Sequence, residues 1–439
     1  MIREQFLKYI YHTPENTNRG MMKSLLKDIS NDLDKNNLFD FIKSQNTHLN
    51  PATLKEYLDK VFQDFGKGVT YTLKIDITNP NPLTCCEYLD DAVGMEKGSS
   101  AWDSKPIFKD IKPCVLKDGK VNYYLNPKDY NKKVDGSISV LTGEDGDVMV
   151  EFSKFAYRIY DDNDKYVYIS ISNDAETIAS DLKFSYLPFT RESAGDCSKT
   201  YIGAYHGTIV DGKLRSISGQ IPTVDTTIGD FRTAAQANGA GYEQFTFYQV
   251  TMLQCLYLIR YGNLNSQSAL GMGYVEAEDP TITGGTNQSG MYYGDTSNSQ
   301  IQVKFAGIED FYGNIGNFID GLYCNDKYHA MVATNNFNND VNDYTDLGAI
   351  STANVSGVME TIWGDTSLGF IAKNYTIQEE MTENSFNEYF SDSVVVHAGR
   401  FAIFNFISSD GVVGGAFYLF IGMPAAYIGP AVGARLSFY

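Results

Sequence analysis

The five histidines, His12, His48, His206, His329 and His397, are the scarcest side chains here that could do acid–base or metal chemistry, and their spacing joins none of them. No two show the HExxH spacing that sets two imidazoles on one helical face for zinc, and no GxxxxGK[ST] loop is present to cradle a phosphate. Gly271 and Gly273 lack the third glycine of a dinucleotide fingerprint, and a tight turn accounts for them. There is no GxSxG elbow, so a serine hydrolase of that type has no support. Carboxylates are plentiful, but no spacing singles out the acid pair that glycoside cleavage needs. Asp161, Asp162 and Asp164, and likewise Asp340, Asp343 and Asp346, offer hard oxygens on bending loops, as calcium requires. Neither cluster carries the glycine and terminal glutamate of an EF-hand, so solvated loops and no cofactor are expected. Cys85, Cys86, Cys114, Cys197, Cys255 and Cys324 make no CxxC pair and no regular spacing, which indicates neither a zinc ribbon nor a disulfide framework.

Those groups must be carried by 439 residues, which at about 150 residues per domain suggests roughly three units. An apolar share of 43% with 20% charged residues excludes a mostly disordered chain. Aromatic residues are in excess: 31 Tyr, 26 Phe and 2 Trp, a mix that suits strands and contact surfaces, since tyrosine adds apolar area while its hydroxyl stays wet. The net charge of -19 argues against nucleic acid as a partner. The opening MIREQFLKYIYH has no apolar h-region, so no signal peptide is expected and assembly in a reducing cytoplasm is.

Met22, Leu25, Leu26, Ile29 and Leu33, then Leu54, Tyr57, Leu58, Val61 and Phe62 behind Asn50 and Pro51, predict helices over residues 1–66, an attachment or oligomerisation module. Strict alternation from Val69 to Ile77 predicts a half-buried strand, opening a β-rich connecting region over 67–144. Val148, Val150 and Phe152 begin another strand that Tyr157 and Ile159 continue with a slip in register; Asp161–Asp164 then turns it into Val167, Ile169 and Ile171. Ile228, Phe231, Ala234 and Ala235 predict one helix stopped near Gly239, and Tyr248, Met252, Cys255, Leu256 and Ile259 another ending at Gly262. Asn335 to Asp346 is a surface loop by composition. Val412 to Ala434 runs 23 residues without a charge, yet its seven glycines and prolines argue for strands and loops rather than membrane insertion.

Three segments carry a resemblance. GIEDFYGNIGNFIDGL, from Gly307 to Leu322, resembles the G-x-E/N-x-x-G-N-x-x-x-[WF]-x-D-G signature of the formylglycine-generating-enzyme type of C-type lectin fold. The closing Gly414–Tyr439 looks like that fold's last strands, with Gly433 to Leu436 as its terminal G-[FA]-R-L, and the helices within 231–274 occupy the place of its paired helices. The resemblance covers about residues 145–439 and implies an α+β, C-type lectin-like ligand-binding domain behind the β-rich segment and the helical module. The oxidase branch uses a cysteine pair before the final strands, but Cys324 is the last cysteine here, so that chemistry is absent. The remaining branch is the ligand-displaying one, seen in variable proteins of diversity-generating retroelements and in phage tail adhesins.

That resemblance implies a rigid scaffold, carried by Gly313, Asn314, Asp320, Gly321, Gly433 and Arg435, and an outward face of Phe401, Ile403, Phe404, Phe406, Ile407, Phe420, Ile421, Tyr427 and Ile428. The implied protein is not an enzyme. It is a bacteriophage tail or fibre-tip receptor-binding adhesin, a homotrimer contacting a host surface protein or glycan, and docked on other virion proteins through its N-terminal module. A capsid decoration or head-fibre protein, and an envelope-carbohydrate-active enzyme, are the alternatives.

Overall fold

The computed structural model describes residues 68–439, apart from 163–164, 175–177, 179–181, 192–194, 277–278, 378–379, 382–386 and 406–410. The helical module expected over 1–66 lies outside the described residues, as do Phe406 and Ile407. What is described is α+β and mostly strand.

The alternating run after Gly68 forms β1 (Thr70–Asp76), which buries Tyr71, Leu73 and Ile75. It pairs antiparallel with β2 (Cys86–Asp90) on one side and with β8 (Tyr166–Ser172) on the other; β7 (Ala156–Asp162) closes this four-stranded sheet. The hairpin expected at the acidic turn is present, in register from Ala156 opposite Ser172 to Asp162 opposite Tyr166. The continuous strand expected through Val148 and Ile159 is instead two strands in different sheets. β6 (Asp147–Ser153) lies inside a seven-stranded sheet, between β3 (Lys112–Lys117) and the strand Lys199–Gly203. Only Ser153 of β6 escapes full burial, because both faces are covered. Its two carboxylates are satisfied there: Asp147 receives Arg215 Nε and Ser216 N at 2.8 Å, and Glu151 receives Lys199 at 2.8 Å and the hydroxyls of Tyr201 and Tyr124 at 2.9 and 3.0 Å.

Both the β1–β8 and the β3–β6 ladders cross the boundary expected at 144/145, so the two segments are interleaved in shared sheets. The seven-stranded sheet is completed by β4 (Lys120–Asn126), β5 (Asp129–Lys133), the closing strand Leu436–Phe438 and Tyr242–Gln244. A nine-stranded sheet holds the C-terminal third. Arg400–Phe404 sits inside it, between Gly316–Cys324 and Leu419–Met423, and Val432–Gly433 pairs parallel to Gly316–Cys324.

Two helices pin these sheets. α1 (Ile228–Gln236) is capped by Thr227, whose side chain accepts from the Asp230 N–H, and it buries the expected Ile228, Phe231, Ala234 and Ala235. α2 (Phe247–Tyr261) begins at a Thr246/Gln249 capping box and ends where Gly262 turns left-handed at φ 51°, a conformation glycine adopts without Cβ strain. Its stripe predicts one buried face, yet all 15 residues are buried, because the helix runs through the core against β1, β8 and Gly316–Cys324. Two of its glutamines find partners there: Gln249 Nε2 donates to Thr200 Oγ1 (2.9 Å) and Gln254 Nε2 to the Ala416 carbonyl (2.9 Å).

The charge-free run forms a short 3-10 turn, Gly411–Val413, and the strands Leu419–Met423 and Val432–Gly433. Among the described residues no helix is long and apolar enough to cross a membrane. Asn335–Asp346 is largely a loop, with Thr345–Asp346 opening a short strand; Phe337 and Tyr344 turn inward to pack with Ala333.

Candidate functional site

Four of the nine residues expected to face outward face inward. Phe401 is 3% exposed, and Ile403, Phe404 and Ile421 are fully buried. Their strands are interior to the nine-stranded sheet, so alternate side chains enter two separate cores rather than water. Phe404 and Ile421 join the core that contains α2, where the Phe404 ring lies 6.4 Å from Phe245 and 5.5 Å from Phe311. Phe401 and Ile403 join the core under α1, with Phe231 and Phe318.

The other described members stay at the surface and lie close together in the chain. Phe420 and Tyr427 are half-buried on the edge of the α1 core, and Ile428 is 57% exposed. Tyr323, Val341, Met423 and Ala425 pack half-buried on the same core, and the sequence reading missed them. Only Met423 and Ala425, inside the charge-free run, carried a signal that could have found them. Glycine shapes this rim, since a Cβ on Gly422 would strike the Phe420 ring and one on Gly429 the Tyr427 phenol. The loop is tied down at both ends. Tyr427 N donates to the Pro424 carbonyl (2.9 Å), Asp225 N to the Gly429 carbonyl (3.1 Å) and Gly316 N to the Ala431 carbonyl (2.9 Å).

Beneath the rim, the six residues assigned to the scaffold are buried and highly constrained. Asp320 receives Arg232 from α1 on both oxygens, Nη2 at 2.5 Å and Nε at 3.1 Å. Burial raises the Asp320 pKa, and the Arg232 charge opposes that rise. Asn314 accepts from Thr281 N (2.9 Å) and donates to Asp310 Oδ2 (2.9 Å). Gly313 and Gly321 have φ of 83° and 85°, and a Cβ there would meet the Tyr274 and Ala333 backbones. Gly433 packs against the Thr223 carbonyl. Arg435 donates to the carbonyls of Gly203, Glu309 and Asp310 at 2.9–3.0 Å, joining the end of the strand Lys199–Gly203 and the 309–310 segment to the closing strand.

Around Arg435 lies a buried polar cluster that sequence spacing did not assemble. Glu309 accepts from Gly284 N (2.7 Å), Thr286 N (2.7 Å) and Thr286 Oγ1 (2.6 Å). His206 Nδ1 is 3.1 Å from Asn317 Oδ1, and Nε2 is 4.0 Å from Asp310 Oδ2. Burial, aided by the Arg435 charge, holds the His206 pKa well below its usual value, so the imidazole is neutral. Burial next to Glu309 raises the Asp310 pKa. Lys304 donates to the Thr286 carbonyl at 3.0 Å and sits 3.5 Å above the Tyr130 ring; burial pulls its pKa down to about 7. Glu309 is held by backbone donors and Asp310 by the side-chain amides of Gln302 and Asn314, an arrangement suited to locking the 281–314 loops against the closing strand.

No protein-family model matches this chain, and no curated protein matches it. Among the described residues no group of three or more His, Cys, Asp or Glu side chains could hold a metal ion.

A second buried pair sets a pH dependence. Glu243 is 8% exposed, its Oε2 is 3.6 Å from Arg191 Nε without a hydrogen bond, and burial pushes its pKa from 4.5 up to about 7. Between those values the folded state holds a proton that the unfolded chain releases, so this group's stabilisation is full below about 4.5 and is lost as pH rises through about 7. Melting curves of Glu243→Gln are expected to show a shallower decline across that window than wild type, by roughly 2–4 kcal/mol in total. Parallel curves for the two proteins would place Glu243 in water.

Proposed function

We propose that the chain is a non-enzymatic virion protein, a phage tail or fibre-tip adhesin whose C-terminal part is a C-type lectin-like binding domain. The reading rests on a largely apolar rim, Phe420, Met423, Tyr427 and Ile428 from the charge-free run with Tyr323 from the strand Gly316–Cys324, mounted on buried, hydrogen-bonded scaffold. Aromatic anchors on a preorganised support are the groups that dominate binding energy at protein interfaces. An uncharged aromatic face favours a host surface protein over a charged glycan. The motif at Gly307–Leu322 supports the fold assignment, because its glycines, Asn314 and Asp320 hold close-packed or buried polar positions. In this reading the N-terminal segment docks on the particle, and a homotrimer multiplies weak single-site contacts.

The full-length protein should bind intact host cells saturably, and Tyr427→Ser with Ile428→Ser should weaken that binding about tenfold or more without moving the melting temperature. Unchanged binding by this folded variant would move the contact elsewhere. No binding by the wild type to any host tried, with labelling on the capsid, would favour a decoration protein. Release of reducing sugar from host envelopes would favour an enzyme.

A further inference from the structure

We propose that Cys85 and Cys86 form a reversible thiol-modification site that takes low-molecular-weight disulfides and other thiophilic reagents. The two Sγ atoms lie 3.6 Å apart at the start of β2, the edge strand of the four-stranded sheet. Among the described residues no other two thiols approach to hydrogen-bonding distance. Both thiols are buried, Cys85 4% and Cys86 7% exposed, beside the turn Asn79–Thr84, where Leu83 is 46% exposed. A cation is fixed beside the pair: Lys97 Nζ donates to the carbonyls of Leu83 (2.7 Å) and Cys86 (3.0 Å), while its stem passes over Gly262.

This geometry makes the two sulfurs unequal. The hydrogen bond between the two thiols lowers the Cys85 pKa, burial opposes that and the Lys97 charge adds to it; the same bond and burial raise Cys86. Burial raises the pKa of Cys114, Cys197, Cys255 and Cys324. Cys85 is therefore the nucleophile and Cys86 the resolving thiol.

With glutathione disulfide the Cys85 thiolate attacks one sulfur, the glutathione S–S bond breaks, and the departing thiolate takes a proton from water. Cys86 then gives its proton to water and attacks the Cys85 sulfur, displacing the second glutathione. Two protein thiols are oxidised and one disulfide is reduced to two thiols. Adjacent Cα atoms stand about 3.8 Å apart, below the roughly 4.4–6.8 Å of relaxed disulfides, so the closed ring is strained and readily reduced. This inference does not depend on the adhesin reading.

The reduced full-length protein is incubated with glutathione disulfide under native conditions, alkylated and analysed by peptide mass spectrometry. Wild type should lose the mass of two hydrogen atoms from the peptide carrying both cysteines. Cys86→Ser should stop as a glutathione mixed disulfide on Cys85, and Cys85→Ser should react about tenfold more slowly or less. Equal rates in the two variants, or Cys85 alkylating no faster than Cys114 in native wild type, would overturn the proposal. Phenylarsine oxide tests it without substitutions, since it captures two neighbouring thiols and releases water. It should protect the Cys85–Cys86 peptide of wild type from alkylation, and an unprotected peptide would refute the site.

Discussion

Asp320→Ala should destabilise the protein by about 3–5 kcal/mol, because it strands a guanidinium where water does not reach. The Arg232 and Asp320 side chains are 8% and 0% exposed, and the pair is bidentate. Arg232 Nη1 also donates to Asn339 Oδ1 at 2.8 Å, so one side chain ties α1 to the strand Gly316–Cys324 and to the 335–346 loop. Removing the carboxylate leaves the charge buried and frees both elements. Replacing both partners with apolar residues, Arg232→Met with Asp320→Leu, should recover much of the loss, since the cost comes from the unpaired charge. Urea denaturation of the three proteins measures this. A loss below about 1 kcal/mol for Asp320→Ala would mean that water reaches the pair.

Phe404→Ala should cost about 3–5 kcal/mol, the range for deleting a packed aromatic ring from a core. Phe404 is fully buried, with its ring packed near Phe245 and Phe311. Ile428→Ser should stay within about 0.5 kcal/mol of wild type. Both substitutions are expected to reduce cell binding, Phe404→Ala by unfolding the support and Ile428→Ser by altering the contact surface. Melting temperature measured alongside binding separates the two. A Phe404→Ala protein that melts like wild type while losing adsorption would put that ring outside.

Local chemistry made some elements legible in the sequence. Gly262 marks the end of α2 because a left-handed stop is settled within a few residues. The alternation from Val69 to Ile77 forms β1 because period two is a property of the strand itself. Gly313, Asp320 and Gly321 in the Gly307–Leu322 motif, and Arg435 before the closing strand, were named only through the resemblance; in the structure they are conformationally special or buried.

Tertiary structure decided which apolar residues are interior. Phe401, Phe404, Phe420 and Ile428 carry similar transfer free energies, so composition cannot rank them. Phe404 is buried because its strand lies between two others and faces the core containing α2; Ile428 is exposed because its loop leaves the sheet. The same holds for β6 and β7, which lie in different sheets with only two residues between them, and for the Arg435 cluster, whose partners come from Gly203 to Asp310. Burial and polar partnership belong to pairs of elements distant in sequence, and only the packed chain brings those pairs together.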